Sequence, residues 1–153
     1  MVAIKYKNKR EYLDFYAAAM DRRFRKLVKS WQADVLIPIP VHPSRKRSRG
    51  YNQAEELAVR LSKYWDIPVD CDLLVRSKKT APQRKLNPEE RLKNLQEAFA
   101  LSETYGASQL PECVILIDDI YTTGSTIEAC ARRLKAAGVK KIHFLSICIG
   151  GGR

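Results

Sequence analysis

The apolar positions of the chain change period several times, and each change marks an element. Between residues 11 and 29, Tyr12, Phe15, Tyr16, Ala19, Phe24, Leu27 and Val28 recur at roughly helical spacing, with a basic face opposite. That spacing predicts an amphipathic helix. Residues 34–39 are an apolar run, read as a first core strand, broken near its end by Pro38 and Pro40. A helix follows from about residue 52, with Asn52 placed to cap it, Glu55 to complete a capping-box-like start, and Ala54, Leu57, Ala58 and Leu61 as its apolar face. Residues 67–75 contain a second strand candidate, and residues 76–85, basic and almost without apolar pattern, read as a long loop of the kind that serves as a lid or binding segment.

The second half repeats the alternation. Asn87-Pro88-Glu89-Glu90 predicts a helix start, with a cap, a proline in the first turn and acids at the positive end of the dipole. That helix runs to about residue 97, and residues 99–101 predict a short strand. Residues 113–118 predict a buried strand, residues 126–137 a helix closed by Gly138, and residues 141–149 a final strand. Alternation of strands and helices after residue 34 predicts an α/β fold with a mostly parallel twisted sheet flanked by helices. We expect one domain over residues 1–153, with an N-terminal helical region over 1–33 and an α/β core over 34–149. Ligands of such sheets bind beyond the carboxyl ends of the strands. The loops after Ile39, Val75 and Ile117 therefore converge on one edge if their strands are parallel.

Composition narrows the classes. No apolar run approaches the roughly 18 residues that span a bilayer, and the first residues lack the apolar core of a signal peptide, so the expected location is cytoplasmic. Lysine and arginine outnumber aspartate and glutamate 28 to 17, a net charge of +11. Such a balance attracts polyanions, whether nucleic acid, anionic ligands or acidic partners, and does not choose among them. Cys71, Cys113, Cys130 and Cys148 are too far apart for a zinc ribbon and read as small buried hydrophobes. His42, before Pro43, and His143, inside a strand, read as structural.

The segment with most chemistry is Asp118-Asp119-Ile120-Tyr121-Thr122-Thr123-Gly124-Ser125-Thr126. Two carboxylates end a strand, hydroxyls and a glycine follow, and a helix begins. Amides and hydroxyls at a helix N-terminus form an anion cradle, and adjacent carboxylates suit ribose hydroxyls or hydrated Mg²⁺. Ser125, with Glu128 three residues on, also fits a capping box. A P-loop nucleotidase would need G-x-x-x-x-G-K-[ST] upstream, and the chain has no such run.

This segment resembles the phosphoribosyl pyrophosphate (PRPP) signature of type I phosphoribosyltransferases. Ile37-Pro38-Ile39-Pro40-Val41-His42-Pro43, Arg49-Gly50-Tyr51-Asn52-Gln53, Thr80-Ala81-Pro82-Gln83, Glu90-Arg91-Leu92-Lys93-Asn94 and the lead-in Ile4-Lys5-Tyr6-Lys7 resemble, in order and spacing, the ComF (ComFC-type) family linked to DNA uptake in natural competence. The resemblance implies the type I phosphoribosyltransferase-like fold and a set of roles. Asp118 and Asp119 would bind the ribose hydroxyls, directly or through Mg²⁺, and are the catalytic and metal candidates. Thr122, Thr123, Gly124, Ser125 and Thr126 would hold the 5′-phosphate. Arg45, Lys46, Arg47 and Arg49 would meet pyrophosphate or DNA, and Arg84 and Lys85 would act from the lid loop. The implied activity is pentosyl transfer from PRPP. The alternative is a non-catalytic protein that binds PRPP or a nucleotide together with single-stranded DNA. The competence helicase and a homodimer are further partners the resemblance raises. Full-length ComF proteins begin with a four-cysteine zinc module; this sequence carries no such set and starts about where that module would end, which puts in question functions resting on it, such as docking to the helicase. The acceptor is not legible: the first helix and the C-terminal tail are the only candidates to recognise it.

Overall fold

The computed structural model describes residues 11–41, 47, 51–76, 87–121 and 124–149. Its elements, in chain order, are α1 (Glu11–Trp31), β1 (Val35–Pro38), α2 (Gln53–Trp65), β2 (Leu74–Arg76), α3 (Pro88–Ala98), β3 (Phe99–Leu101), β4 (Cys113–Tyr121), α4 (Ser125–Ala137) and β5 (Lys141–Ile149). The described strands form a three-stranded sheet, β1-β4-β5, and a two-stranded ribbon, β2-β3.

The sheet is parallel, with Val35 opposite Val114 and Pro38 opposite Ile117 on one side of β4, and Cys113 opposite Lys141 on the other. Strand β4 is central, and Val114, Ile115, Leu116 and Ile117 are all fully buried. A strand covered on both faces needs apolar residues at every position, which is why this run shows no alternation. Successive side chains still point to opposite faces. Val114 and Leu116 join a core layer with Leu74, Phe99, Cys130 and Leu134, from the ribbon and α4, with α3 contributing Leu95 and Ala98. Ile115 and Ile117 join the other layer, with Leu13 and Ala17 of α1 and Leu57 and Leu61 of α2.

Polar bonds fix the strand ends. The Asp34 carboxylate accepts from the amides of Glu112 and Cys113 at 3.0 and 2.9 Å, tying the start of β1 to the start of β4. At the other end Asn52 is buried between β1 and α2. Its side chain accepts from the Ala54 amide at 3.0 Å and donates to the Ile39 carbonyl at 3.2 Å. One side chain thus caps α2, a contribution typically worth about 1 kcal/mol, and binds the helix to the carboxyl end of β1. The capping box expected at α3 forms: Asn87 and Glu90 exchange bonds with each other's amides. Gly138 closes α4 at φ 118°.

Several expectations need correction. The strand within residues 67–75 is short and late: Val69 bridges Leu36, the Asp70 carboxylate then accepts from the amides of Asp72 and Leu73, and β2 starts only at Leu74. Because β2 pairs antiparallel with β3 and not with the main sheet, the parallel sheet alone does not bring the loop after it to the shared edge. Arg76, read as the first loop residue, is the last residue of β2. Strand β4 continues past Asp118 to Tyr121. Cys71 is exposed, whereas Cys113 and Cys130 are buried as expected. His143 lies on β5 and stacks on Trp31, with ring centroids 4.1 Å apart.

Asp21 is the buried acid of the α1–α2 layer. It accepts from Arg25 at 2.9 and 2.6 Å and from the indole of Trp65 at 2.9 Å. The Arg25 bonds hold its carboxyl below the ordinary carboxylate value; burial opposes this and the Trp65 bond adds to it. A depressed carboxyl contributes stability that is complete above the unfolded value and is lost as pH falls through the folded one. Urea denaturation should therefore show Asp21→Asn less stable than wild type at neutral pH, with the difference shrinking below the ordinary aspartate pKa. A difference that does not change with pH would assign the loss to packing alone.

Candidate functional site

Parallel pairing brings the carboxyl ends of β1 and β4 side by side, since Pro38 lies opposite Ile117 and the Ile39 amide donates to the Ile117 carbonyl at 2.8 Å. Asp118 and Asp119 follow at once. The chain then returns as α4, which begins at Ser125. The acidic pair, the Gly124 turn and the N-terminus of α4 are therefore joined by a short piece of chain at one edge of the sheet.

Strand alternation separates the two acids. Asp118 continues the Val114–Leu116 series and faces the α4 layer. Asp119 continues the Ile115–Ile117 series and faces the α1–α2 layer. Both are partly buried, and the Asp118 carboxylate accepts from the Asp119 amide at 2.8 Å. In the sheet Asp118 lies opposite Ser146 of β5. Asp118 also acts on the thiol of Cys130, which burial, above all, and then the Asp118 charge push up, while Arg76 pulls it down. A thiol so placed is inert, in keeping with a space-filling role.

Gly124 is the N-cap of α4 and adopts φ 80°. Ser125 is the first helical residue, so the expected capping box with Glu128 does not form. Glu128 instead pairs with Arg132 at 2.7 Å. Ser125 and Thr126 are partly buried at the helix start, in the first turn of α4. Of the remaining expected site residues, Arg47 is exposed. Arg45, Lys46, Arg49, Arg84, Lys85, Thr122, Thr123 and His42 lie outside the described residues.

The donor set fits a hard divalent cation that keeps most of its water. Among the described residues no cluster of three or more His, Cys, Asp or Glu could cage a metal. Mg²⁺ is commonly held through one or two carboxylates plus ligand oxygens and water, and partly exposed Asp118 and Asp119 could serve in that way. A cavity of about 350 Å³ between Val28, Lys29, Tyr64, Trp65 and Ile67 lies at the opposite end of the molecule, where α1 and α2 finish. No helix among the described residues is long and apolar enough to cross a membrane.

Two contacts carry no local signal in the sequence. Asn52 caps α2 and also links it to Ile39. Arg76 belongs to β2, where its guanidinium carbon sits 5.2 Å from the centre of the Phe99 ring, opposite it in the ribbon. The signal that could have found it was the apolar run ending at Arg76 matched to the strand starting at Phe99.

This acidic pair near the carboxyl end of a central parallel strand, with a glycine turn opening the next helix, sits in a fold of the type I phosphoribosyltransferase class. The chain belongs to the phosphoribosyl transferase domain family, whose model matches residues 10–152. A solved hypoxanthine phosphoribosyltransferase from Staphylococcus aureus shares the fold, with a TM-score of 0.54, 14% identity, and coverage of 90% of this chain and 63% of that one. Within the family, its curated relatives include competence and DNA-utilization proteins. Competence protein F of Haemophilus influenzae is 38% identical over 111 residues, covering 72% of this chain and 48% of the relative. DNA utilization protein YhgH of Escherichia coli O157:H7 is 30% identical over 115 residues, covering 75% and 49%. The chain thus spans about half the length of the curated relatives it matches.

The Gly124 conformation gives a direct test. A β-carbon in the left-handed region costs about 1–2 kcal/mol. Gly124→Ala should lower unfolding free energy by about that amount in urea denaturation, while Gly124→Asn, whose side chain tolerates this region, should lose less. Equal losses would show that the turn does not depend on this φ.

Proposed function

We propose that this chain binds PRPP with Mg²⁺ at the carboxyl ends of β1 and β4 and transfers the phosphoribosyl group to a base or amine. The observation that carries this reading is the continuity of the acidic pair near the end of β4, the Gly124 turn and the N-terminus of α4. Asp118 and Asp119, projecting from opposite faces of β4, would engage the ribose 2′- and 3′-hydroxyls. The first-turn amides of α4, with the hydroxyls of Ser125 and Thr126, would hold the 5′-phosphate; amides and a helix dipole stabilise a dianion without a fixed counter-charge. Thr122 and Thr123 would complete that cradle. Arg45, Lys46, Arg47 and Arg49 follow β1 and would meet the pyrophosphate, since guanidinium forks match phosphate oxygens. Arg84 and Lys85 would cover it from the lid segment.

In the reaction the bond from the anomeric carbon to pyrophosphate breaks and a bond to the acceptor nitrogen forms. The transition state has oxocarbenium character, as in glycoside chemistry. No side chain need act as a nucleophile. Cations around the departing pyrophosphate stabilise the charge that develops there. Bound Mg²⁺ would supply charge neutralisation, held by Asp118 and Asp119 directly or through water.

Calorimetric titration of PRPP with Mg²⁺, followed by phosphorus NMR across a panel of bases and amines, tests both binding and turnover. Wild type should bind and release pyrophosphate with one class of acceptor. Asp118→Asn together with Asp119→Asn should weaken binding by about tenfold or more, one or two charge-assisted bonds being lost, with an unchanged circular-dichroism spectrum. A folded double variant that binds like wild type would remove the acids from the site.

A second reading rests on the net charge of +11 and on the DNA named in the relatives' description. In it the site binds PRPP or a nucleotide without turnover, and the basic segments bind single-stranded DNA. Fluorescence anisotropy with an oligonucleotide should then show affinity falling steeply with salt. Replacing Arg45, Lys46, Arg47 and Arg49 by alanine should flatten that slope, and an unchanged slope would place DNA on another face.

A further inference from the structure

We propose that the cavity where α1 and α2 finish is a second ligand site, suited to a small flat ring that carries an N–H donor and one acid group. It lies at the other end of the molecule from Asp118 and Asp119 and does not depend on the PRPP reading.

The cavity holds about 350 Å³, within the range of small-molecule sites. Its floor is the core: Val28 is buried, and Ala33, Trp65 and Ile67 pack against the same α1–α2 layer. Trp65 spends its indole N–H on Asp21, at 2.9 Å, so what it offers a ligand is apolar ring surface in a fixed orientation. Asp21 fixes the neighbouring wall as well. It takes the Nε and one Nη of Arg25, at 2.9 and 2.6 Å, and leaves the other Nη to donate elsewhere. Lys29 also lines the cavity, exposed and without an ion-pair partner among the described residues.

Both helices end in an uncommon way. The residue that closes a helix often takes the left-handed conformation, where glycine is favoured because it has no β-carbon. Gly138 closes α4 in this manner. At α1 and α2 the positions belong to Gln32, at φ 50°, and Asp66, at φ 53°, the two non-glycine residues of positive φ among the described residues. Both line the cavity. The second turn is held firmly: the Asp66 amide donates to the Ser62 carbonyl at 2.9 Å, and the Ser62 hydroxyl donates to the Ile67 carbonyl at 2.6 Å. The chain thus accepts backbone strain at two helix ends and gains two polar side chains at one cavity. Strain of this kind gathers at ligand clamps.

The polar groups sort by charge. Lys29 and the remaining Nη of Arg25 suit an acid group. The Asp66 carboxylate, the Gln32 side-chain oxygen and the negative ends of two helix dipoles suit N–H donors. Trp65 and Tyr64 supply aromatic surface for a flat ring. A heteroaromatic carboxylate and a nucleoside monophosphate share this chemistry.

Heteronuclear NMR of the Trp65 indole N–H tests the site locally; the chain has two tryptophans, and Trp65→Phe assigns the signal. The acid probes are indoleacetate and AMP. Tryptophol and adenosine lack the acid group, naphthaleneacetate lacks the N–H, and inorganic phosphate lacks the ring. At least one acid probe should shift the signal saturably, and the tighter of the two tells whether the acid is a carboxylate or a phosphate. Its counterpart without the acid should bind about tenfold more weakly, as should naphthaleneacetate relative to indoleacetate, each lacking one charge-assisted bond. Phosphate alone should leave the signal in place. Lys29→Met should weaken the tighter acid probe about tenfold and leave its acid-free counterpart within about twofold, a change too small to count as a lost bond. Gln32→Gly should leave the urea midpoint no lower and still weaken the tighter probe about threefold or more. If neither acid probe gives a saturable shift, the inference is overturned. It is overturned equally if the acid-free counterpart binds as tightly, which would make the cavity merely apolar, or if Lys29→Met binds as wild type does. If Gln32→Gly binds as wild type does, Gln32 serves only to end α1 and the inference fails.

Discussion

The parallel pairing of β1 with β4 is the constraint on which the rest depends. Pairing in this direction places both strand ends at one edge, and the register of Pro38 with Ile117 brings the two following segments level. The central position of β4 demands apolar residues on both faces, and strand alternation then decides where the next two residues point. Asp118 and Asp119 face opposite layers because Leu116 and Ile117 do. The same pairing lets α4 return antiparallel to β4, so its N-terminus ends up beside the acids it follows.

Polar bonds hold this edge and its opposite in place. Asp34 ties the amino ends of β1 and β4, and Asn52 ties the start of α2 to the carboxyl end of β1. Buried polar groups cost free energy unless they are bonded, so each of these side chains is useful only in one geometry. The α1–α2 layer has its own polar centre in Asp21, bonded to Arg25 and Trp65. The hydrophobic layers supply most of the stability, and these few bonds set register and orientation.

Most of the architecture was legible in the sequence because hydrophobic period carries it. The apolar runs around Val35 and Val114, the Asn87–Glu90 box and the Gly138 stop all correspond to observed features. What failed had identifiable causes. The stretch around Val69 to Val75 is apolar enough for a strand, but Asp70 captures two amides and turns the chain. Ser125 has the chemistry of a cap, but Gly124 takes that position at a positive φ that favours glycine. Arg76 reads as loop because its strand partner, Phe99, is distant in sequence and close in space. The acids were legible as a pair, whereas their separation onto two faces became visible only once the strand was known to continue to Tyr121.

The bond from Asp34 to the Cys113 amide spans 79 positions of sequence. As the chain emerges from the ribosome, α1, β1 and α2 are complete long before β4 exists. Until then β1 lacks its main sheet neighbour, and the apolar layer of α1 and α2 lacks Ile115 and Ile117. Contacts this distant in sequence are slow to form, and unpaired strands exposed in the meantime favour wrong association. The order of synthesis therefore sets a waiting period in which about the first two fifths of the molecule is made but unseated. The strand that ends the wait is the one that carries the acidic pair, so the ligand site and the sheet are completed by the same event.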